Sequence, residues 1–546
     1  MTLASTLDIH LLLTRHDDQT PVMEQALDGC STSSEPRPAM PSKRPRDDDE
    51  ASLDDLQKQK WGVVVPPGET GERLLELVEP LIARRRQQQG SYVRVFRSPP
   101  MSASDLSLLD AFRMRDRWRD GQSSSAEALP YYLLIVGDLQ QVPLAVQRAL
   151  SVSTNHAVGR LSFERDDDYR AYVAKLIAQE TGAKSPRGDI LLHTVQDGTR
   201  ATEEGHANLI QRLVGDAKEL SPRPSMRESG TRIPTPRELF EAVEQPSAPT
   251  VLCTLAHGEG APRGGWPSAA EQLASQGSLG FGFGRRITGR DIAERPFLPG
   301  GVWIAHSSFS AGTPPWSSYL GWLEKLAESE HSEAIAEILA SRPLSEEPFV
   351  SSISRAALAN PKGPLAFIGH VDLAWSYAFP EPTSASGSRT ASMIRMMSGL
   401  AQGKRVGLAM RGLFEYLVQV NEYLVALYNG PGDPDSPLVQ RERALWWMVR
   451  EELAGYILLG DPAARMAVAP APPPLPRKRR ASTEAELQAL DRRKRLERAV
   501  AEHILGQPGQ IALARHDLAM GEEQFDELAA AYRAAGMAAI SRLDED

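Results

Sequence analysis

Residues 301–314 read GVWIAHSSFSAGTP. The apolar run Val302-Trp303-Ile304-Ala305 has the length and composition of a buried strand. It passes directly into a loop of small residues, Ser307-Ser308-Phe309-Ser310-Ala311-Gly312. A loop of this kind at the carboxyl end of a parallel strand is where an open α/β sheet presents its reactive groups. A second strand end lies upstream in TVLCTLAHGEG, residues 250–260, which delivers His257 followed at once by Gly258. A hydroxyl or thiol nucleophile needs a base, and an imidazole shuttles protons near neutral pH. The backbone N–H groups of Gly258 and of residue 308 would then form an oxyanion hole. From spacing alone, a strand-ending histidine beside a plain serine-rich turn explains these residues equally well.

Working outward, short apolar runs at 61–65, 92–96 and 131–138 alternate with amphipathic helical patterns at 69–86, 104–120 and 166–180. That alternation predicts a parallel sheet with right-handed crossovers, and residues 58–182 are read as one α/β unit. A second unit, 183–468, opens on the strand 189–195 and passes through helices at 205–220 and 237–243, with a polar loop at 221–236 between them. The two site strands follow, then a fourth strand at 364–370, helices at 389–401 and 406–429, and a closing run Tyr456–Pro462. Residues 1–57 read as a disordered leader, since 36–51 is rich in Pro and charge and offers little to pack. Residues 469–483 are a stiff Pro-rich basic linker. Residues 484–546 have the composition of a small helical interaction module, suited to docking or self-association.

The chain has 546 residues, 41% hydrophobic and 24% charged, as expected of an ordinary soluble protein of several domains. A net charge of −10 argues against nucleic acid as a partner. The two cysteines, Cys30 and Cys253, are poorly placed to pair and no zinc spacing exists, which suits a reducing cytoplasm. No apolar run approaches ~18 residues and the amino terminus lacks a basic n-region, so the expectation is a cytoplasmic protein without a membrane segment. No cofactor or metal is implied. The glycine-rich stretch 277–289, GSLGFGFGRRITG, lacks the GK[ST] of a phosphate loop and reads as a mobile loop ahead of the nucleophile strand.

Six stretches together carry a family resemblance: Leu134–Asp138, Ala157–Leu161, Leu255–Gly258, Ser307–Pro314, Ile368–Trp375 and Gly460-Asp461-Pro462. Over roughly residues 60–470 the chain resembles the gingipain-like branch of the caspase-like (clan CD) cysteine peptidases. Caspase-type enzymes also place the histidine about 50 residues ahead of the nucleophile. The resemblance implies an α/β fold of two caspase-like (caspase-hemoglobinase) subdomains, each with a largely parallel sheet flanked by helices. It makes His257 the general base and position 308 the nucleophile of a cysteine endopeptidase, with Gly258 and residue 308 holding the oxyanion. It also implies that Trp375 walls the P1 pocket. A basic P1 residue would require a buried carboxylate, for which Asp197, Glu203, Glu204 and Asp372 are candidates; each is also explicable as an exposed charge. Self-cleavage would then fall at Arg285-Arg286, Lys43–Arg46 or Arg477–Arg480. Prokaryotic relatives serve in defence by cutting a partner effector such as a gasdermin-like pore former, and a regulatory protein would dock on the C-terminal module.

The departure is Ser308, where the family carries Cys. A serine hydroxyl must lose its proton during attack, whereas a thiolate is available near neutral pH, so a site tuned for sulfur should lose most of its rate. Three accounts compete: an inactivating replacement, a natural pseudoprotease acting as a binding scaffold, or a working Ser–His enzyme. The intact Ser310–Pro314 context favours the first.

Overall fold

A computed structural model describes residues 8–28, 53–99, 107–120, 129–151, 156–220, 222–230, 235–327, 332–377, 388–429 and 436–469. The basic runs at 43–46 and 477–480, Cys30 and the C-terminal module fall outside the described residues.

Among the described residues, ten strands share one sheet: β1 (Trp61–Val65), β2 (Arg94–Arg97), β3 (Tyr132–Val136), β4 (Ala157–Leu161), β5 (Asp189–Thr194), β6 (Ser225–Ser229), β7 (Thr250–Leu255), β8 (Val302–His306), β9 (Ala366–His370) and β10 (Tyr456–Gly460). The order across the sheet is β2-β1-β3-β4-β10-β9-β8-β7-β5-β6. The central strands are apolar runs buried on both faces, the pattern of a sheet sandwiched between helices. Each half is parallel within itself. The halves meet at β10, which is parallel to β4 and antiparallel to β9. The two sequence units are therefore the two halves of a single mixed sheet, and the last strand of the second unit is inserted against the first. The edge strand β6, SMRES, replaces what reads as a polar loop; its side chains are half-buried or exposed, so no apolar pattern announces it.

The seam around β10 explains several of the family-like stretches. Gly159 lacks a side chain because a Cβ there would lie 2.1 Å from the carbonyl oxygen of Gly460. Asp461 accepts from the Trp61 indole at 2.9 Å and from Arg85 Nε at 2.9 Å, and Arg85 also reaches Glu180 at 2.7 Å. Arg160 donates to the carbonyls of Gly137 and Val142, both at 2.8 Å. Trp61 and Arg85 bind the first half of the scaffold to Asp461 beyond β10, Arg160 fastens the first half internally, and all stand apart from the chemistry.

The expected disordered leader, 1–57, is corrected over residues 8–28 and over 53–57, where Leu53 and Leu56 are buried and a short helix begins at Leu56. Asp8–Leu11, Leu13–Thr14 and Leu27–Asp28 are strands, with Ile9, Leu11, Leu12 and Leu13 buried. Four apolar side chains within five positions bury enough surface to offset the cost of ordering the backbone. No helix among the described residues is long and apolar enough to cross a membrane.

Buried histidines make the fold acid-sensitive. Burial drives the His193 pKa down to about 4; its Nδ1 meets Ser229 Oγ at 2.9 Å. His257 and His306 shift the same way, again chiefly by burial. The unfolded chain binds these protons first, so the stabilisation is complete above about pH 6.5 and drains away as pH falls toward 4. For His193 alone the loss is on the order of 3 kcal/mol. Urea midpoints measured from pH 7.5 to 4.5 should fall over that window, and His193→Gln should flatten the slope.

Candidate active site

The register of β7 against β8 sets Leu255 opposite His306, and the Ala256 amide donates to the His306 carbonyl at 3.3 Å. Two residues further along each chain stand His257 and Ser308, so neighbouring parallel strands end with these groups alongside one another. Gly258 is required by the contact: a Cβ there would fall 1.8 Å from the Ser308 carbonyl oxygen. Past Ser308 the chain turns sharply through Phe309, held at φ 56°, a conformation a bulky residue rarely adopts. The turn is braced from β9, where the Ser310 hydroxyl accepts from the His370 amide at 3.0 Å and the Ala311 amide donates to the His370 carbonyl at 2.9 Å.

The imidazole of His257 is fully buried and held from one side. Thr199 Oγ1 lies 2.9 Å from Nε2, and Asp197 Oδ2 lies 3.5 Å from it. Thr199 donates its own hydroxyl proton to Asp197 Oδ1 at 2.7 Å, which leaves its oxygen to accept from Nε2–H. That assignment puts the free lone pair on Nδ1, which is buried and has no hydrogen-bond partner among the described residues. Burial lowers the His257 pKa, and the Asp197 carboxylate partly opposes the shift. The result is a neutral, oriented imidazole with one nitrogen ready to take a proton.

Two backbone donors converge beside Ser308. The Gly258 amide, at 2.9 Å, and the Ser308 amide, at 3.4 Å, both point at one oxygen, the carbonyl of Leu12 from the N-terminal segment. The Ser308 hydroxyl accepts from the Ala374 amide at 3.0 Å, and the Ala374 carbonyl accepts from the Leu12 amide at 3.0 Å. A carbonyl seated on two N–H groups beside a hydroxyl and a neutral imidazole is the arrangement an oxyanion hole requires.

The other candidate residues are distributed differently. Trp375 begins a short strand, Trp375–Tyr377, and its ring packs among Tyr319 and Trp322 at 5.7 and 5.4 Å between centroids. Asp372 is buried and occupied: its carboxylate accepts from the Ser318 amide at 2.7 Å and the Leu373 amide at 2.8 Å. Asp197 serves Thr199, Thr202 and the imidazole. Glu203 is 60% exposed, 3.7 Å from Arg200. Glu204 pairs with Arg200 at 2.8 Å, so Asp372, Glu203 and Glu204 do not stand ready to receive a basic side chain, while Asp197 Oδ2 is turned to the imidazole.

Thr199, Glu452 and the Leu12 segment were not singled out by the sequence. Glu452 is fully buried, accepts from the Trp375 amide at 3.2 Å, and lies 3.5 Å from His306 and 3.6 Å from His370. Burial raises its pKa. Thr199 carries a usable signal, since a threonine two residues past an aspartate and opening a helix is a cap. With a cysteine at 308, Thr199→Val is expected to lower kcat about tenfold with little change in KM. Its pH–rate profile should also change, because the tautomer is no longer fixed; steady-state kinetics from pH 5 to 8 check this.

No protein-family model matches the chain, and no curated protein matches it by sequence. Solved structures do resemble it. The Arg-specific cysteine proteinase gingipain R is 12% identical, with 78% of this chain and 80% of that one covered at a TM-score of 0.42. The complex of Porphyromonas gingivalis RgpB pro- and mature domains is 14% identical, covering 74% of this chain and 79% of that one at a TM-score of 0.39. A Saccharomyces cerevisiae separase–securin complex is 9% identical, covering 71% of this chain and 22% of that one at a TM-score of 0.30. At such values the likeness carries no functional argument, and the chemistry is read from this chain's own side chains.

Proposed function

We propose that the chain is a cysteine-type endopeptidase of the caspase and gingipain kind, with Ser308 at its nucleophile position. The observation that supports this best is the Leu12 carbonyl, seated on the amides of Gly258 and Ser308 beside a neutral, one-sidedly held His257. In the active chemistry, a thiol at 308 attacks a peptide carbonyl and His257 Nδ1 takes the proton and returns it to the leaving amine. The two amides bind the oxygen as it becomes negative. With Ser308 the same frame works slowly, because the hydroxyl must be deprotonated in the act. The substrates are specific proteins, among them a partner effector such as a gasdermin-like pore former in bacterial defence. The setting is the cytoplasm, with a regulatory protein docking on residues 484–546. Neither nucleic acid nor a membrane takes part.

The second reading is a catalytically silent scaffold that uses the cleft for binding, and Ser308 itself favours it. Ser308→Cys separates the two. A thiol-reactive peptide probe is expected to label residue 308 in that protein and to fail in its His257→Ala derivative. Absence of labelling across pH, with and without partners and also after the Leu12 segment is displaced by Leu12→Asp, leaves the scaffold.

A further inference from the structure

The segment Asp8–Thr14, DIHLLLT, crosses the site as an extended peptide. Asp8–Leu11 runs antiparallel to Trp375–Tyr377, with Ile9 opposite Tyr377 and Leu11 opposite Trp375. Leu12 then joins the Ala374 carbonyl through its amide and the two oxyanion donors through its own carbonyl. Beyond it, Leu13–Thr14 runs parallel to His257–Glu259, and the Gly260 amide donates to the Thr14 carbonyl at 2.8 Å. Downstream the segment is fastened by Arg15 to Glu337 at 2.8 Å, by His16 to Glu259, and by Asp18 to Arg263 at 2.6 Å. A peptide that adds a strand on one side, seats one carbonyl on two convergent N–H groups and leaves along another strand is laid out for attack at that carbonyl.

Resting on the peptidase reading above, we infer that Ile9–Thr14 is this site's own substrate. The Leu12–Leu13 bond is the one cut, and the site selects an apolar residue, not a basic one, ahead of the scissile bond. Leu12 is completely buried. Asp372 accepts from backbone amides, Glu203 faces solvent and Glu204 pairs with Arg200 at 2.8 Å, so none of these three waits for a lysine or arginine; Asp197 Oδ1 serves Thr199 and Thr202, and its Oδ2 lies 3.5 Å from the imidazole. Of the basic pairs, Arg286 is itself engaged with Glu259 at 2.7 Å. The nucleophile at 308 bonds to the Leu12 carbonyl carbon, the carbonyl electron pair moves onto the oxygen, and His257 Nδ1 receives the nucleophile's proton. The carbon–nitrogen bond to Leu13 then breaks, with that proton passing to the Leu13 amine. One water, deprotonated by His257, frees Leu12 as a carboxylate and restores the nucleophile. The products are residues 1–12 and a chain that begins at Leu13.

The full-length Ser308→Cys protein tests this by intact mass and N-terminal sequencing. Expected is a new amino terminus at Leu13, absent from the Ser308→Cys/His257→Ala protein. Adding Leu12→Arg should slow the cut at least about tenfold, and a quenched peptide spanning residues 7–17 supplied in trans should be cut at the same bond. In a separate Ser308→Cys/Leu12→Asp protein, a carboxylate forced into an apolar site expels the segment and opens the nucleophile to the thiol-reactive probe. Labelling there while Leu12–Leu13 stays intact in the Ser308→Cys protein overturns the self-substrate inference and leaves the peptidase standing. An absence of labelling in both proteins removes the peptidase reading as well. Faster cutting with Arg at position 12 would overturn the apolar preference.

Discussion

In the Ser308→Cys protein, His257→Ala is expected to lower peptide turnover by about 10²–10⁴-fold, the range a positioned general base contributes. The expectation follows from how the ring is held. Nε2 is engaged through Thr199 with Asp197, so Nδ1 alone is free to accept a proton, and among the described residues no second imidazole replaces it. His306 and His370 are committed to Tyr456, Glu452 and backbone carbonyls beneath the site. The pH profile carries a further consequence. Burial lowers the His257 pKa and Asp197 only partly restores it, so the base form persists below the ordinary imidazole value of 6.5. Activity should therefore hold as pH drops through 6.5 and fail only lower, as protonation removes the base. Measurement of kcat/KM between pH 4.5 and 8 checks both points. A limb centred above 7, or an alanine variant within tenfold of its parent, contradicts the assigned role.

The strands that carry His257 and Ser308 are legible because local signals suffice: a run apolar on both faces, then small residues. Their adjacency follows from the alternating pattern, since consecutive parallel strands usually neighbour one another. What joins the halves is not legible. Residues 456–460 read as one more buried strand, and nothing local says that it lies parallel to 157–161, far earlier in the chain. The polar edge strand 225–229 hides for the opposite reason, because without an inward face it has no periodicity to display. Asp197 was recognisable as a carboxylate of interest, but its service to the imidazole depends on Thr199 standing between them. Leu11-Leu12-Leu13 is apolar, yet three residues cannot reveal which cleft will bury them. The six family-like stretches divide in two: 255–258, 307–314 and 368–375 lie at the site, whereas 134–138, 157–161 and 460–462 hold the sheet together.

The largest stability effect should come from a partner of that second group, Arg85, which holds Asp461 far from the imidazole. Arg85→Ala is expected to destabilise the protein by about 3–5 kcal/mol, the cost of leaving buried opposite charges without their partner. Arg85 is fully buried; burial opposes its charge, yet Asp461 and Glu180 hold its pKa above the ordinary value. Without the guanidinium, the Asp461 carboxylate keeps only the Trp61 indole and the Ala463 amide, at 2.9 and 3.0 Å, in a site with no solvent exposure. Glu180→Gln should cost less, because that side chain is 5% exposed and a neutral amide can still accept from Arg85. Urea denaturation of the two variants gives the order. Activity separates scaffold from chemistry: with cysteine at 308, turnover per folded molecule well below the unfolding midpoint should be unchanged by Arg85→Ala. The reason is that His257 and the Ser308 turn rest directly on β7, β8 and β9, and β10 reaches them only through Tyr456 beneath His306 and His370. A parallel fall in kcat would mean that the seam strand, through its antiparallel contact with β9, also sets the position of the Ser310 brace.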